Sequence, residues 1–555
     1  MTRSDSPTLG TLHAAIAGLS PLRSSVLAFV CGVITIFAFA PFFLWPVYIL
    51  SISLLIWLLD GAKTRKKWRK AMFFRGWAFG AGFTLASMHW LVSPFLVDPA
   101  AHIWFIWMPL ILMPAGLGLF FGGASFLAGL VWSKTPGRIF AFAVTFSLFE
   151  GLRGTIFGGF PWNWPGMVWA PGEPVSQLAS IFGLWGLSIL TLLLAGAPAA
   201  LADFRPHGGA FNRVFPLLIA AIVFGCGWAW GTQRIPMRTE TDGIAVRIVD
   251  VQVDQTDKYP VAPDRNPEET RRLQYQAIED IRAAYLVGTG DDFPDEPRLI
   301  VWPESALPVP LLQNPDSLDD VTLRLGSRTL ITGTTRVDRY TSSGSDWYNS
   351  LAVLDEGSRF TGANAIYDKH RLVPFGELAA ADFIPFGTQI SGILPPALQQ
   401  QAKAGYRPGP PASPIELAGG KTFLPLICYE ALFPGLVRAT VQNADFLVNI
   451  SIDSWFGSGI GPDQHYAQAR YRSIESGRPM VRAANLGHSG AIDSFGNEVF
   501  SNKNLLTYKS YNLTVTDTLI PDQKHITTYG RYGPLFSWLT VLLLTMFTYF
   551  YSKKT

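Results

Sequence analysis

The stretch TFLPLICYE, residues 422–430, places a reactive side chain directly after an apolar run of strand length. The first six residues are predicted to form a buried strand, after which Cys428 opens a turn with Tyr429 and Glu430. In layered α/β domains, functional sites assemble where strands end, because the loops vary there while the sheet holds their positions. The stretch therefore predicts an α/β domain with a cysteine at the edge of a sheet.

Two other segments repeat this arrangement of a strand end followed by a charged side chain. They are VWPES, residues 301–305, which carries Glu304, and YDKH, residues 367–370, which carries Lys369. A cysteine attacks as its thiolate, so it needs a base or a positive neighbour. Glu304 could take the proton and Lys369 could stabilise developing negative charge, although each residue alone could equally be an ordinary turn or surface residue.

The sequence around these segments has the pattern of one globular domain. Charged residues, proline and glycine separate short apolar runs between residues 238 and 530. Helices are predicted at residues 268–286 and 463–476. The predicted strands are residues 243–253, 298–302, 329–334, 350–354, 422–427, 446–450 and 480–484. Strands that alternate with helices indicate an α/β layered domain.

The chain as a whole is too apolar for an ordinary soluble protein. Of its 555 residues, 49% are hydrophobic and only 15% are charged. Eight apolar segments could cross a bilayer, at residues 24–40, 45–59, 76–97, 104–132, 139–157, 178–201, 215–231 and 533–551. We therefore predict a membrane α-helical bundle of about eight transmembrane helices. Seven of them belong to residues 1–237 and the last to residues 531–555, with the outer domain at residues 238–530 between them.

Lysine and arginine residues are distributed unevenly around these segments. Seven of them lie between residues 63 and 75, and others precede the first span and follow the last. Because cytoplasmic loops carry an excess of positive residues, both termini are predicted to be cytoplasmic and residues 238–530 to face outward. Within the fifth span, Glu150 and Arg153 lie one helical turn apart, so we expect them to pair or to face a cavity.

Several classes of function are disfavoured by what the sequence lacks. A formal net charge of +3 offers no broad basic surface for nucleic acid. Three cysteines, Cys31, Cys226 and Cys428, are too few and too dispersed for a disulfide framework, and no Cys/His cluster suggests a metal site. Neither a GxSxG nor an HExxH pattern competes with the Glu, Lys and Cys set.

The ordered segments VWPES, YDKHRLVPFGE and LICYE resemble the nitrilase superfamily, whose members carry a Glu-Lys-Cys triad in this order. With its predicted spans, the chain resembles more narrowly the apolipoprotein N-acyltransferase family, bacterial enzymes that complete lipoprotein acylation. The resemblance covers nearly the whole chain and implies an α/β nitrilase-like αββα sandwich. It implies that Cys428 is the nucleophile, Glu304 the general base and Lys369 the cation that stabilises the oxyanion.

The resemblance also extends to residues around the triad. It implies supporting roles for Glu377 and Glu430, and it puts Tyr429 in the lining of the site. Two positions depart from the family pattern: Tyr259 stands where a tryptophan is common, and Ile452 stands where an asparagine is common. These departures affect substrate-loop details and leave the triad intact.

The segment DSWFG, residues 453–457, and the later His465 also match the family. An aspartate and an aromatic after a strand often only fix a turn or fill a pocket. We therefore expect Asp453, Trp455 and His465 either to line the site or to have such a structural role.

The resemblance implies a reaction in two halves. Cys428 takes the sn-1 acyl chain of a phospholipid, with phosphatidylethanolamine as the expected donor, and forms a thioester. The N-terminal amino group of a diacylglyceryl-cysteine on an apolipoprotein then takes the acyl chain. No metal or cofactor is implied. The implied location is the bacterial inner (cytoplasmic) membrane, crossed several times, with the catalytic domain in the periplasm.

Two alternatives remain open from the sequence. A membrane-tethered nitrilase-type amidase would use the same triad with water as acceptor to hydrolyse small amides, although a tether needs only one span. A transporter or receptor could instead bind amides through a degenerate site, although Glu304, Lys369 and Cys428 are all present.

Overall fold

The computed structural model describes residues 9–203, 210–236, 242–262, 266–291, 297–341, 344–374, 376–378 and 405–552. The chain divides into two compact units. The helical unit consists of Met1–Ile235 and Arg531–Thr555, and the sheet unit consists of Pro236–Gly530. The short helix Thr528–Tyr532 includes the boundary between them.

The helical unit is built almost entirely from apolar helices. Its longer described α-helices are Pro21–Ile34, Trp45–Lys63, Trp68–Met88, Met113–Leu130, Gly137–Arg153, Ala179–Gly196, Ala210–Arg234 and Leu535–Ser552, and the short ones are Leu9–Ala17 and Pro99–His102. Turns of 3-10 helix extend several of them, such as His89–Leu96 and Ala197–Ala202.

Within the described residues, five helical segments are long and apolar enough to cross a membrane. They are Pro21–Ala38, Trp45–Lys63, Ile103–Leu130, Pro174–Ala202 and Arg213–Arg234, and the apolar segment Leu535–Phe550 is shorter. The predicted count of about eight is therefore not confirmed.

Two other predicted spans fall short for different reasons. The helix Trp68–Met88 is long enough, but Arg69, Lys70 and Arg75 lower its hydropathy. The helix Gly137–Arg153 has only 17 residues and includes three charged side chains. Hydropathy and length therefore separate these helices from the five more apolar segments.

The pair expected in the fifth predicted span is present. Arg153 hydrogen-bonds Glu150, and both side chains are buried. Arg153 also donates to the carbonyl oxygens of Phe160 at 2.7 Å and Trp162 at 3.0 Å. The prediction that Glu150 and Arg153 pair is thus confirmed, and backbone carbonyls satisfy further donors of the guanidinium.

The sheet unit contains two β-sheets. Its strands are β1 Gly243–Val251, β2 Leu299–Val301, β3 Thr329–Thr341, β4 Gly344–Leu354, β5 Ala365–Asp368, β6 Ile415–Glu416, β7 Thr422–Ile427, β8 Phe446–Ile452, β9 Met480–Asn485, β10 Gly490–Ile492, β11 Ser501–Tyr508 and β12 Tyr511–Pro521. The seven-stranded sheet has the order β11-β12-β1-β2-β3-β4-β5, and the five-stranded sheet has the order β10-β9-β8-β7-β6. Strands β1, β2 and β3 run parallel, as do β7, β8 and β9.

The α-helices among the described residues of the sheet unit lie between these strands in sequence. They are Gln255–Lys258, Pro267–Thr289, Pro315–Leu325, Ser358–Thr361, Pro434–Thr440 and Gly461–Ser476. The two helices predicted at residues 268–286 and 463–476 are confirmed as Pro267–Thr289 and Gly461–Ser476. Asn266 caps the first of them by accepting from the backbone amides of its first turn.

Two hydrophobic cores explain the layers of the sheet unit. One core joins the sheets, and it contains Ile248 and Val301 from the larger sheet and Leu424 and Ile450 from the smaller one. The other lies on the opposite face of the larger sheet, where its buried residues include Val249, Ile300, Ile281, Tyr285 and Val321. Successive strand residues point to opposite faces, so β1 and β2 contribute to both cores. Helices Pro267–Thr289 and Pro315–Leu325 supply the outer side of the second core.

Candidate active site

The structure brings the predicted triad together at the ends of three strands. Glu304 follows β2, Lys369 follows β5 and Cys428 follows β7, so the two sheets both contribute. The amino group of Lys369 lies 3.3 Å from Oε1 of Glu304, and both side chains are buried. Cys428 is half-buried, and its thiol is near enough to feel the charges of both.

The thiol is held in its protonated form by its surroundings. Burial raises the pKa of the Cys428 thiol, and the negative charge of Glu304 raises it further. The positive charge of Lys369 and a contact with the Ser451 hydroxyl act in the opposite direction without reversing the shift. Since the thiolate is the nucleophile, a base must remove this proton as the reaction begins.

Lys369 lies between two carboxylates. Its amino group is 2.8 Å from Oε1 of Glu377, in addition to its contact with Glu304. Burial alone would lower the pKa of Lys369, but the charges of Glu304 and Glu377 together raise it well above its usual value. The side chain is therefore a fixed cation beside the thiol.

Asn349 is a site residue that the sequence did not reveal. Its side-chain nitrogen donates to Oε1 of Glu304 at 2.6 Å and to Oε1 of Glu377 at 2.7 Å. The backbone carbonyl oxygen of Asn349 accepts from the backbone amide of Lys369 at 2.8 Å. Nothing in the sequence marks this asparagine within β4, since its partners are 28 and 45 residues away.

Backbone amides hold the second carboxylate oxygen of Glu304 and of Glu377. Oε2 of Glu304 accepts from the amide of Ile452 at 3.0 Å, and Oε2 of Glu377 accepts from the amide of Val373 at 2.8 Å. The departure from the family pattern at position 452 leaves this contact intact, because Ile452 makes it through its main-chain amide and not through its side chain.

Glu430 supports the site through hydrogen bonds and does not pair directly with Lys369. Its Oε1 accepts from the Tyr367 hydroxyl at 2.7 Å and from the amides of His370 and Arg371 at 2.9 and 3.0 Å. Its Oε2 accepts from the Ile427 amide at 2.8 Å. Burial raises the pKa of Glu430, and these donors oppose that shift. One carboxyl group thereby connects the strand end before Cys428 to the turn around Lys369.

Tyr429 is buried and packs edge-on against Phe433, with ring centroids 5.1 Å apart. This environment is aromatic, and the predicted contact of Tyr429 with substrate stays a prediction. Tyr259, the other departure from the family pattern, is half-exposed on the turn after the helix Gln255–Lys258.

A second buried lysine lies at the Glu304 turn. The amino group of Lys258 donates to the carbonyl oxygen of Ser305, and burial lowers the pKa of Lys258 to about 8 although the charge of Glu304 opposes this. Ser305 has a φ of 44° and Cys428 a φ of 49°, both in the left-handed region that non-glycine residues rarely occupy. Such backbone geometry is common at functional sites, where surrounding contacts hold it in place.

Asp453, Trp455 and His465, which were expected either to line the site or to have a structural role, differ in burial. Asp453 and His465 are completely buried, whereas Trp455 is partly exposed. In the described parts of the chain, no group of three or more His, Cys, Asp and Glu side chains could hold a metal ion. The thiol of Cys428, the carboxylate of Glu304 and the ammonium of Lys369 are groups of the kinds that nucleophilic acyl transfer uses.

Comparison with known proteins covers both units. Residues 31–197 match the family model described as Apolipoprotein N-acyltransferase N-terminal domain, and residues 297–504 match the model described as Carbon-nitrogen hydrolase. The solved structure of an amidase from Nesterenkonia sp. matches 52% of this chain and 94% of that chain, at 16% identity and a TM-score of 0.29. A likeness that weak supports no conclusion about fold or function.

Named relatives match at greater length. A protein of Rhizobium rhizogenes named apolipoprotein N-acyltransferase is 34% identical over 484 residues, covering 85% of this chain and 86% of that protein. One of Sinorhizobium fredii with the same name is 32% identical over 548 residues, covering 96% of this chain and 97% of that protein. With this identity over nearly the full length of both chains, the protein belongs to the apolipoprotein N-acyltransferase family.

Proposed function

We propose that this chain is a membrane acyltransferase that moves an acyl group from a phospholipid to the N-terminal amino group of an apolipoprotein. The observation that carries the proposal is the group formed by a half-buried thiol, Cys428, a buried carboxylate, Glu304, and a buried cation, Lys369. The described residues of the same chain include five helical segments apolar enough to lie in a bilayer, which suits an enzyme whose donor and acceptor are both lipids.

In the first half-reaction, Glu304 removes the proton from the Cys428 thiol as the sulfur attacks the carbonyl carbon of the sn-1 ester. The negative charge that develops on the carbonyl oxygen is stabilised by the Lys369 ammonium. The carbon–oxygen bond to glycerol then breaks, and the leaving oxygen takes the proton from Glu304. The products are a lysophospholipid and a thioester on Cys428, and phosphatidylethanolamine is our proposed donor.

In the second half-reaction, the amino group of the diacylglyceryl-cysteine attacks the thioester carbonyl. Glu304, ionised again, accepts a proton from the attacking nitrogen, and the carbon–sulfur bond breaks as the amide forms. The sulfur takes this proton from Glu304, which restores the resting thiol and the ionised carboxylate. Donor and acceptor react in turn with one nucleophile, so the kinetics are ping-pong.

The location we propose is the bacterial inner membrane, with the sheet unit in the periplasm and both termini in the cytoplasm. The dense positive charge between residues 63 and 75 supports this orientation, because such loops are retained on the cytoplasmic side. A site that receives lipids and excludes water favours transfer to an amine over hydrolysis.

The decisive experiment is the intact mass of detergent-solubilised protein after incubation with phosphatidylethanolamine of one defined sn-1 chain. Cys428→Ala removes the nucleophile, and Cys226→Ala is the matched control because Cys226 is exposed and far from the site in sequence. We expect one acyl adduct, sensitive to hydroxylamine, on the wild type and on Cys226→Ala. The Cys428→Ala protein stays unmodified.

A diacylated lipopeptide then discharges the adduct and appears as the N-acylated product. Folded wild-type protein without any adduct would contradict the proposal. An adduct that only water discharges, together with hydrolysis of small amides, would favour the amidase alternative.

A further inference from the structure

A buried polar network contacts Cys428, and none of its side chains takes part in the proton transfers proposed above. His465, Asp453 and Arg482 are each fully buried. The Nε2 atom of His465 lies 3.2 Å from the carbonyl oxygen of Cys428, and its Nδ1 atom lies 2.9 Å from Oδ1 of Asp453. The ring of Phe456 packs edge-on against the imidazole at 5.3 Å, which further restricts its orientation.

The contacts of the imidazole fix its orientation. Its two ring nitrogens face acceptor oxygens, one of a carboxylate and one of a peptide carbonyl. A carbonyl oxygen only accepts, so the contact with Cys428 places a proton on Nε2. Nη2 of Arg482 lies 3.2 Å from Nδ1 of His465 and donates to Oδ1 of Asp453 at 3.1 Å.

Asp453 is the anchor of the network. Its Oδ2 accepts from Nη2 of Arg482 at 2.8 Å, and its Oδ1 accepts from the hydroxyl of Ser451 at 2.7 Å. Burial alone would raise the pKa of Asp453, but the charges of Arg482 and His465 hold it well below its usual range. The carboxylate therefore stays ionised and keeps the imidazole in one orientation.

The network reaches the nucleophile at two points. His465 contacts the carbonyl oxygen of Cys428, and the Ser451 hydroxyl contacts its thiol. The backbone of Cys428 needs such contacts, because its φ of 49° is in a sparsely populated region for a residue with a Cβ. Holding the carbonyl fixes the peptide plane after Cys428 and thus the direction in which the thiol points.

We propose that His465, oriented by Asp453, is a positioning residue that holds the Cys428 carbonyl and keeps the sulfur in attacking geometry in both half-reactions. This inference rests on the proposed role of Cys428 as nucleophile. It goes further by naming the side chain on which the position of the nucleophile depends. Small misplacements of a reacting group reduce rates strongly, so the loss of this contact affects rate constants more than lipid binding.

Two uncharged substitutions separate positioning from general packing. His465→Gln keeps an amide nitrogen near the place of Nε2, so it still donates to the Cys428 carbonyl. His465→Asn reaches only the place of Nδ1, so it keeps the contact with Asp453 and loses the one with Cys428. Both replace the imidazole by a neutral amide at the same buried position, which makes them a matched pair.

The measurement is made on the full-length, detergent-solubilised protein. Single-turnover rate constants are obtained for thioester formation from phosphatidylethanolamine and for discharge by a diacylated lipopeptide. We expect His465→Asn to slow both steps by about 100-fold with KM for the phospholipid nearly unchanged. His465→Gln retains most of the rate in both steps.

Two results would overturn the inference: wild-type rates in folded His465→Asn, or equal losses in both variants. If His465→Asn does not fold, Asp453→Asn decides, because it removes the charge that orients the imidazole while preserving size. Equal slowing of both half-reactions in that variant supports the inference, and wild-type rates refute it. Failure of the wild type to form any Cys428 adduct would refute the proposed function itself, whereas the outcomes above concern only His465.

Discussion

At the scale of single residues, the site is a set of charges whose balance depends on one neutral amide. Asn349 donates from one nitrogen to both Glu304 and Glu377, and Lys369 contacts the same two oxygen atoms. Two carboxylates therefore share two donors. Their negative charges are tolerated at close range because each oxygen faces an N–H group.

The substitution Asn349→Asp tests this balance. It replaces a donor by a third carboxylate between Glu304 and Glu377, so repulsion displaces the base or leaves it protonated. We expect kcat to fall by about 100-fold or more, as for the loss of other preorganised donors in active sites. The same substitution at exposed Asn504 in β11 is the control and leaves kcat unchanged. Acyl transfer from a labelled phospholipid measures both, and activity of Asn349→Asp near the wild type would contradict the assignment.

The proposed triad and its neighbours Glu377 and Glu430 could be predicted from the sequence, whereas Asn349 and the main-chain contacts could not. Glu304, Lys369 and Cys428 each follow a strand, and strand ends are recognisable from the apolar runs before them. Asn349 lies inside β4, where an asparagine has no distinctive pattern. The contact of the Ile452 amide with Glu304 involves the main chain, which leaves no signature in side-chain identity.

At the scale of elements, the fit between β3 and the Glu304 turn allows no additional atom. A Cβ on Gly333 would lie 2.4 Å from the Cα of Glu304 and 2.5 Å from the backbone nitrogen of Ser305. Both contacts are with backbone, so they cannot be relieved by rotating a side chain. The strand therefore sets the position of Glu304, the proposed base, through direct backbone packing.

Gly333→Ala is expected to move the Glu304 turn and to lower kcat by about tenfold to 100-fold. Gly435→Ala is the matched control, since no atom lies within 4 Å of a Cβ at that helical position. The control should keep full activity and unfold at the same or a slightly higher temperature, because alanine favours helix. Thermal unfolding and acyl-transfer assays on both variants check the prediction, which an unaffected kcat in Gly333→Ala would refute.

Strands were predictable where they contain a short apolar run, and less so elsewhere. The seven predicted strands are present as β1, β2, β3, β4, β7, β8 and β9, but β3 continues to Thr341 and β4 begins at Gly344, beyond the predicted runs. The five that the sequence did not predict are β5, β6 and β10, which have two to four residues, and β11 and β12, which are rich in polar residues. These strands depend on pairing with their neighbours in the sheet more than on a local pattern.

At the scale of the whole molecule, helix length and hydropathy decide how much of the membrane part can be read from the sequence. The apolar runs predict about eight spans, but only five described segments combine sufficient helix length with high hydropathy. In the helix Gly137–Arg153, the expected partner Glu150 compensates the buried Arg153, whereas the carbonyl oxygens of Phe160 and Trp162 that accept from it were not predicted.

The proposed orientation of the chain makes a further prediction. In a background without Cys226 and Cys428, a cysteine replacing Asn504 in the sheet unit is expected to react with a membrane-impermeant maleimide in intact spheroplasts. A cysteine replacing Lys66 is expected to react only after permeabilisation, because its positively charged loop is retained in the cytoplasm. Both positions are exposed, so accessibility within the fold is matched. Labelling of the Lys66 position in intact spheroplasts would contradict the orientation.

The four hydrogen bonds accepted by Glu430 have a consequence for the order of events in turnover. They join the backbone before Cys428 to the backbone after Lys369, so the sulfur and the ammonium form one rigid assembly. On the proposed mechanism, the arrangement of sulfur and ammonium is therefore already complete when the amine arrives at the acylated Cys428. The exchange of one bulky lipid for another is then accommodated by residues outside this assembly, and no rearrangement of Lys369 and Cys428 is required between the two proposed steps.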